Sequence, residues 1–286
     1  MVGSRVRLPV TAPARHGAPP LRRAPSLAEH VLALQRTVGN RATRRVLGRD
    51  ARGGTETPKP AAAGAARFKV IIVDDGATGL SDKTLKVALD VVRAEIKRVT
   101  GQSSEAIVKS GMTVEHTKTA PGRMRELGRT TFLLFLTAST DAKHAVGLAA
   151  PHVDLDEEER KVQEERFARN VATEGGVHID RIDGRGRSYG ASLVSTTLAT
   201  QIQAKQGAGP ESAGNLVGEI ILHELGHAWG HSKQLGNSDH DKGGIMTATR
   251  VLDSSLRYKA THFSQASVKI IVDRLEGLAK RMAPAP

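Results

Sequence analysis

The chain of 286 residues contains no cysteine. This absence excludes disulfide-stabilised folds, cysteine-ligated zinc sites and cysteine nucleophiles. No stretch approaches about 18 consecutive apolar residues, and the N-terminus lacks an apolar signal core, so the sequence predicts neither a membrane span nor export by a secretory signal. We therefore expect a protein that is cytoplasmic in the cell that makes it.

Aromatic residues are also scarce, with one Trp, two Tyr and five Phe in the whole chain. The formal net charge of +12 would suit a nucleic-acid-binding protein, but single-stranded nucleic acids are bound largely by stacking on aromatic side chains. Residues 1–66 carry a net charge of +9 and the remaining 220 residues only +3, so the excess charge belongs to a tail. We therefore do not expect nucleic acid to be a partner.

The N-terminal part of the chain is predicted to be a basic, largely disordered tail. Residues 1–25 contain five prolines and several arginines, a composition that cannot bury an apolar core. A short amphipathic helical segment is predicted over residues 26–47, and the Gly- and Ala-rich residues 48–66 have the composition of a linker. The chain thus divides into a tail, residues 1–66, and a folded domain, residues 67–286.

The most informative motif of the folded domain is the HExxH pattern formed by His223, Glu224 and His227. Two imidazoles at positions i and i+4 project from one face of a helix, so both can reach a single zinc ion. Glu224 falls beside the pair, where it can deprotonate a zinc-bound water. Two histidines and a glutamate would be costly to bury in such an apolar helix without a compensating charge. The motif predicts a zinc cofactor, with His223 and His227 as ligands and Glu224 as general base.

Two further features follow the motif at short range. Gly230 extends it to HExxHxxG, and a Gly-Gly-Ile-Met sequence ends at Met246. Together these residues resemble the metzincin clan of zinc metallopeptidases, whose motif HExxHxxGxxH is followed by a tight turn with a methionine under the metal. The resemblance implies a protein or peptide substrate, cleavage of peptide bonds, and a packing role for Met246 without metal binding.

The third metal ligand is where the chain departs from the metzincin pattern. Lys233 occupies the expected position, and its protonated amine cannot bind a metal. The nearby candidates are His240, His231, Asp239 and Asp241. In a continuous helix His231 would lie about 12 Å along the axis from His223, whereas a helix that ends at Gly230 lets the chain loop back to bring in His240. We favour His240, with His231 as the alternative and the aspartates after them.

Other site predictions depend on the same resemblance. Tyr258 is a candidate for stabilising the oxyanion. A predicted strand contains Gly176, Val177 and His178, and in metzincins the corresponding edge strand binds the substrate backbone by β-addition. For His178 itself we favour pairing with a residue on the neighbouring strand. Three other histidines have no ligand spacing and are assigned to the surface or the core: His144, His152 and His262.

A second resemblance concerns the tail. The sequence LQRTVGNRA, at residues 34–42, resembles an N-terminal segment of proteins associated with extracellular contractile injection systems, the phage-tail-like particles of bacteria. In those proteins the segment precedes diverse enzymatic or toxin domains. The resemblance implies that residues 26–47 dock the protein on an injection particle, which delivers it outside the cell or into target cells.

The fold class predicted for residues 67–286 is α+β, a mixed α/β fold. The predicted strands are 68–73, 107–115, 130–136 and 176–181. The predicted helices are one starting at Ser81, an exposed charged insertion at 154–169, the HExxH helix, and a last helix at 264–280 with Ser264 as N-cap. This order of elements is similar to a metzincin domain, with a twisted sheet, a long helix and an active-site helix.

The same residues are also compatible with a different class of function. The protein could be a catalytically inactive cargo or adaptor, in which the tail docks a particle and the HExxH helix is vestigial. The intact Glu224 favours an active enzyme.

Overall fold

The computed structural model describes most of the folded domain. The described residues are 68–74, 76, 78–171, 174–182, 188–197, 200–201, 210–241, 243–247 and 262–282. The predicted tail, its segment 26–47 and Tyr258 lie outside the described residues. Within them the chain forms a mixed α/β fold with one five-stranded sheet and seven α-helices, which agrees with the predicted class.

The sheet is mostly parallel. Its strands are β1 (Phe68–Asp74), β2 (Met112–Thr117), β3 (Thr131–Thr137), β4 (Gly176–Ile182) and β5 (Ser188–Ser195). They lie in the order β2-β1-β3-β5-β4, and β4 alone runs antiparallel to its neighbour. The central strands β1 and β3 are almost entirely apolar and buried because both faces of the sheet are covered.

Seven helices cover the sheet in the described part of the chain. They are α1 (Asp82–Thr100), α2 (Ala106–Lys109), α3 (Met124–Leu127), α4 (Ala142–Ala149), α5 (Glu157–Asn170), α6 (Pro210–Ala228) and α7 (Gln265–Lys280). Successive residues of β1 point to opposite faces, so Val70 and Ile72 join a core with α1, α6 and α7, whereas Ile71 and Val73 join a second core with α4 and α5. No helix of the described residues is long and apolar enough to cross a membrane.

Several predicted elements are confirmed within a few residues. β1, β3 and β4 lie where the apolar runs predicted them, and α1 starts after Ser81, whose hydroxyl accepts a hydrogen bond from the backbone of Thr84 at 3.2 Å. Ser264 caps α7 in the same way, through the backbone N–H of Ser267 at 3.0 Å. The side-chain oxygen satisfies a helix N–H that has no partner within the helix.

Two predictions about the fold were wrong. The strand predicted over residues 107–115 begins only at Met112, because the apolar pair before it belongs to α2 and Gly111 (φ 89°) redirects the chain. The helix predicted as an exposed insertion at 154–169 instead packs as α5 against α4 and β4, and its Phe167 is fully buried. One buried aromatic ring is enough to dock a helix that is otherwise charged.

Candidate metal centre

The HExxH helix α6 ends where the glycine predicted it. Helical geometry stops at Ala228, and Gly230 adopts φ 140°, a backbone conformation that favours glycine. The backbone N–H of His231 then bonds to the carbonyl of Gly226 at 3.0 Å, which closes the last turn. His231 is therefore not carried forward along the helix face that holds His223 and His227.

The loop after α6 brings His240 back to the helix. A short 3-10 turn at Lys233–Leu235 starts the reversal. The amide of Asn237 donates to the Gly230 carbonyl at 3.0 Å, and the backbone N–H of Lys233 donates to Asp239 at 2.8 Å. These hydrogen bonds hold the polar loop in one conformation, with His240 near its C-terminal end.

Three histidines converge as a result. His223, His227 and His240 offer ligand atoms that all lie within 4.8 Å of one another. The ring centroids of His223 and His227 are 4.9 Å apart, and that of His240 lies 5.4 Å and 5.2 Å from them. The first two histidines are buried and His240 is partly buried, so the cluster lies just below the surface on the His240 side.

Backbone carbonyls orient the two helical histidines. Nδ1 of His223 lies 2.8 Å from the carbonyl oxygen of Ile245, and Nδ1 of His227 lies 2.7 Å from that of His231. A carbonyl only accepts hydrogen bonds, so each Nδ1 carries the proton and each Nε2 presents its lone pair. An outer hydrogen bond of this kind fixes the tautomer and ring orientation of metal-binding histidines.

The distance between these lone pairs fits a metal ion. Nε2 of His223 and Nε2 of His227 are 3.3 Å apart. A zinc ion with Zn–N bonds of about 2.0–2.1 Å and tetrahedral angles places two donor atoms about 3.3–3.4 Å apart. Burial lowers the pKa of His227 to about 3, which keeps its imidazole neutral and able to bind a metal. The donor set therefore fits zinc.

Glu224 lies fully buried beside the histidines. Neither of its carboxylate oxygens has a hydrogen-bond partner among the described residues. Burial raises the pKa of Glu224 well above its ordinary value, the charge of Glu174 adds to the rise, and Arg166 opposes it. A Cβ added at Gly176 would come within 2.9 Å of the Glu224 carboxylate, so β4 approaches this group with bare backbone.

His178 pairs with the neighbouring strand, as favoured from the sequence. Its Nδ1 lies 2.9 Å from the hydroxyl of Ser192, its partner in the register of β4 and β5, and its Nε2 lies 3.0 Å from Asp180. The Ser192 hydroxyl donates to the backbone carbonyl of Glu224 at 3.2 Å. Asp180 also accepts a hydrogen bond from the Ser232 hydroxyl at 3.0 Å. One hydrogen-bond network therefore joins β4 to the HExxH helix at Glu224 and to the loop after that helix at Ser232.

Met246 lies directly beneath the HExxH helix. It is fully buried, and a Cβ added at Gly226 would overlap its sulfur. The preceding residue, Ile245, supplies the carbonyl that orients His223. The Gly-Gly-Ile-Met turn thus supports the helix at Gly226 through packing and at His223 through one backbone hydrogen bond.

The other candidate ligands point elsewhere. His231 was the alternative third ligand, but it is not part of the three-histidine cluster. Its side chain is buried, with Nδ1 3.2 Å from the carbonyl oxygen of Ser238. Asp239 accepts from the backbone of Lys233, and Asp241 accepts from Ser264 and Ser267 at the start of α7. Three further histidines also stand outside the cluster: His144, His152 and His262.

A second carboxylate beside the histidine cluster was missed from the sequence. Oε1 of Glu174 lies 3.7 Å from Nε2 of His240, and its Oε2 accepts from the amide of Asn170 at 3.0 Å. The nearby Arg166 donates to the backbone carbonyl of His178 at 3.0 Å. The one available signal was the position of Glu174, two residues before the predicted edge strand.

Comparison of the chain with protein-family models, with curated proteins and with solved structures gave no match. The interpretation of the site therefore depends on its own residues. Three histidine nitrogens that can hold a divalent metal converge next to one buried carboxylate, and the backbone of an edge strand runs past both. Such an arrangement can activate a water molecule beside a bound peptide.

Proposed function

We propose that the protein is a zinc-dependent endopeptidase with His223, His227 and His240 as metal ligands and Glu224 as general base. The observation that carries this proposal is the pair of Nε2 atoms, 3.3 Å apart, whose Nδ1 atoms both donate to backbone carbonyls. Two buried lone pairs that face each other repel unless a cation lies between them.

When bound, zinc would lower the pKa of a water molecule towards about 7 and polarise the scissile carbonyl. Glu224 takes the proton of the attacking water and returns it to the leaving amine. Burial stabilises the protonated carboxyl between these two transfers, because the neutral form is favoured in an apolar environment. The hydrogen bonds from His223 and His227 to backbone carbonyls keep both rings fixed meanwhile.

The edge strand supports a peptide as substrate. β4 pairs with β5 on one side only, and its first residue, Gly176, brings bare backbone up to the Glu224 carboxylate. A peptide in extended conformation that adds to the other side of β4 would pass the general base, with its backbone amides paired. Together with Met246 beneath the helix, this arrangement supports a metzincin-like site.

We further propose, from the resemblance of the tail, that the protein is a toxin or effector cargo. In this proposal it is made in the bacterial cytoplasm and loaded through residues 26–47 into a contractile injection particle. The alternative function is an inactive cargo or adaptor with a vestigial HExxH helix. The buried carboxyl of Glu224, whose two oxygens have no hydrogen-bond partner among the described residues, favours the enzyme, since a vestigial site has no reason to retain so costly a group.

Metal content and peptide cleavage test the enzyme directly. The purified protein should contain one zinc ion per chain and cleave members of a mixed peptide library. A chelator should abolish cleavage, and added zinc should restore it. A protein that binds no zinc at micromolar concentration would rule out the metallopeptidase, and one that binds zinc but cleaves no peptide would favour the adaptor.

A further inference from the structure

Glu174 is a carboxylate beside the histidine cluster that the proposed mechanism does not use. It lies in the turn between α5 and β4, and its side chain is 20% exposed. A charged side chain is rarely held this close to a buried site without a partner of opposite charge. The position of Glu174 therefore indicates that this carboxylate takes part in the site.

The turn holds Glu174 in a defined place. The backbone N–H of Glu174 donates to the carbonyl of Asn170 at 2.7 Å, which continues the last turn of α5. The side-chain amide of Asn170 donates to Oε2 of Glu174 at 3.0 Å. One carboxylate oxygen is thereby fixed, and the other, Oε1, is directed towards the histidines.

The free oxygen faces a buried ring nitrogen of the cluster. Oε1 of Glu174 is 3.7 Å from Nε2 of His240, which is too long for a hydrogen bond. That Nε2 is buried and has no hydrogen-bond partner among the described residues. Two donors on one tetrahedral zinc ion lie about 3.3 Å apart, so this separation is close to the spacing of neighbouring ligands. Glu174 is not one of the residues whose ligand atoms all lie within 4.8 Å of one another, so its side chain would have to move towards His223 and His227 to share one ion with all three histidines.

We propose that Glu174 is a fourth ligand that closes the three-histidine site in the resting protein. This inference rests on the proposed function. Three histidines and one carboxylate form a complete tetrahedral set, whereas a catalytic zinc site keeps one position open. Glu174 must therefore leave the metal before catalysis. It lies two residues before the first residue of β4, the edge strand along which a peptide would add, so in this proposal substrate binding at that edge displaces it and the enzyme is latent until then.

Metal affinity and access to the metal test this role without an activity assay. The full-length protein, Glu174→Gln and the control Glu165→Gln are compared; Glu165 is an exposed carboxylate within α5, nine residues before Glu174. Zn²⁺ affinity is measured by competition with a chromophoric chelator. Each protein is also loaded with Co²⁺ and titrated with azide, which binds an open coordination position and changes the visible spectrum.

Glu174→Gln should weaken Zn²⁺ binding about tenfold or more and strengthen azide binding by a similar factor, because an uncharged amide is a poor ligand. Glu165→Gln should change neither. Asn170→Ala, which frees the carboxylate without removing it, should strengthen azide binding to a smaller degree. Equal Zn²⁺ and azide affinities in the wild type and Glu174→Gln would overturn the fourth ligand while leaving the metallopeptidase intact. A wild-type protein that binds neither metal would overturn both.

Discussion

Nε2 of His223 and Nε2 of His227 lie 3.3 Å apart in the interior of the protein, and the opposite nitrogen of each ring donates to a backbone carbonyl. The two carbonyls belong to Ile245 and His231, which lie in different parts of the chain after the helix. The chain that follows α6 therefore orients both rings before any metal arrives. A preorganised site of this kind would lose little freedom on binding a metal ion.

The first prediction concerns Glu224, which lies beside the histidines but is not one of the clustered ligands. Glu224→Gln should retain zinc and lower kcat/KM about 10²- to 10⁴-fold, because it removes only the proton-transfer group. The fold should be unaffected, since the neutral amide relieves the cost of a buried carboxylate. Zinc analysis and peptide cleavage on the same sample check both parts. An active Glu224→Gln protein would refute the assigned base.

The second prediction separates the two candidates for the third ligand. His240→Ala should weaken zinc binding by more than about 100-fold, which exceeds the cost of losing an outer hydrogen-bond partner. His231→Ala should leave zinc affinity within about tenfold of wild type, because the carbonyl that holds His227 belongs to the backbone and survives the change. Chelator competition on the two variants measures the difference. The opposite order would mean that the loop binds the metal through His231.

The third prediction concerns the contact between Gly226 and Met246. Gly226→Ala should destabilise the protein by about 1–3 kcal/mol, because the added methyl overlaps the Met246 sulfur in a packed core. The matched control is Gly147→Ala in α4, where nothing lies within 4 Å of the added Cβ. That change should stabilise by up to about 1 kcal/mol through helix propensity.

Urea unfolding of a double-mutant cycle checks the cause of this difference. Met246→Ala shortens the side chain that Gly226→Ala would meet, so the two changes together should cost less than the sum of their separate effects. If the losses in free energy of unfolding from the two substitutions simply add, Gly226 is required for a reason other than its contact with Met246.

Much of the site could be predicted because its signals are local. The spacing of His223 and His227 on one helix, the stop at Gly230 and the polar loop that returns to His240 are all encoded within 18 residues. Each is a matter of helix geometry or of glycine conformation. Their relative placement in the structure agrees with those expectations.

What was missed depends on contacts that are distant in sequence. Glu174 lies 50 residues before Glu224 and reaches the histidine cluster only because β4 pairs with β5 at the edge of the sheet. β5 itself was not predicted, since its sequence SYGASLVS mixes small and polar residues and lacks a clear alternation. Its buried face becomes apparent only when β3 and β4 lie on either side.

The last prediction concerns pH and the segment around His262 and Phe263. Glu95 of α1 is 2% exposed and holds this segment through His262 Nδ1 and the backbone N–H of Phe263, both at 2.7 Å. Burial alone would raise the pKa of Glu95, but the hydrogen bonds from Arg98, His262 and Phe263 outweigh it and lower the pKa below 4.5.

A carboxyl whose pKa is depressed by folding contributes stability above its unfolded pKa and loses it as pH falls through the folded value. Glu95→Gln should therefore destabilise the protein by about 2–4 kcal/mol at pH 7, since it leaves Arg98 without its buried partner. The gap between the two proteins should shrink steadily below pH 4.5. Urea unfolding of both proteins from pH 7 to pH 3 measures that gap, and a gap that stays constant with pH would contradict the assignment of the stabilising charge to Glu95.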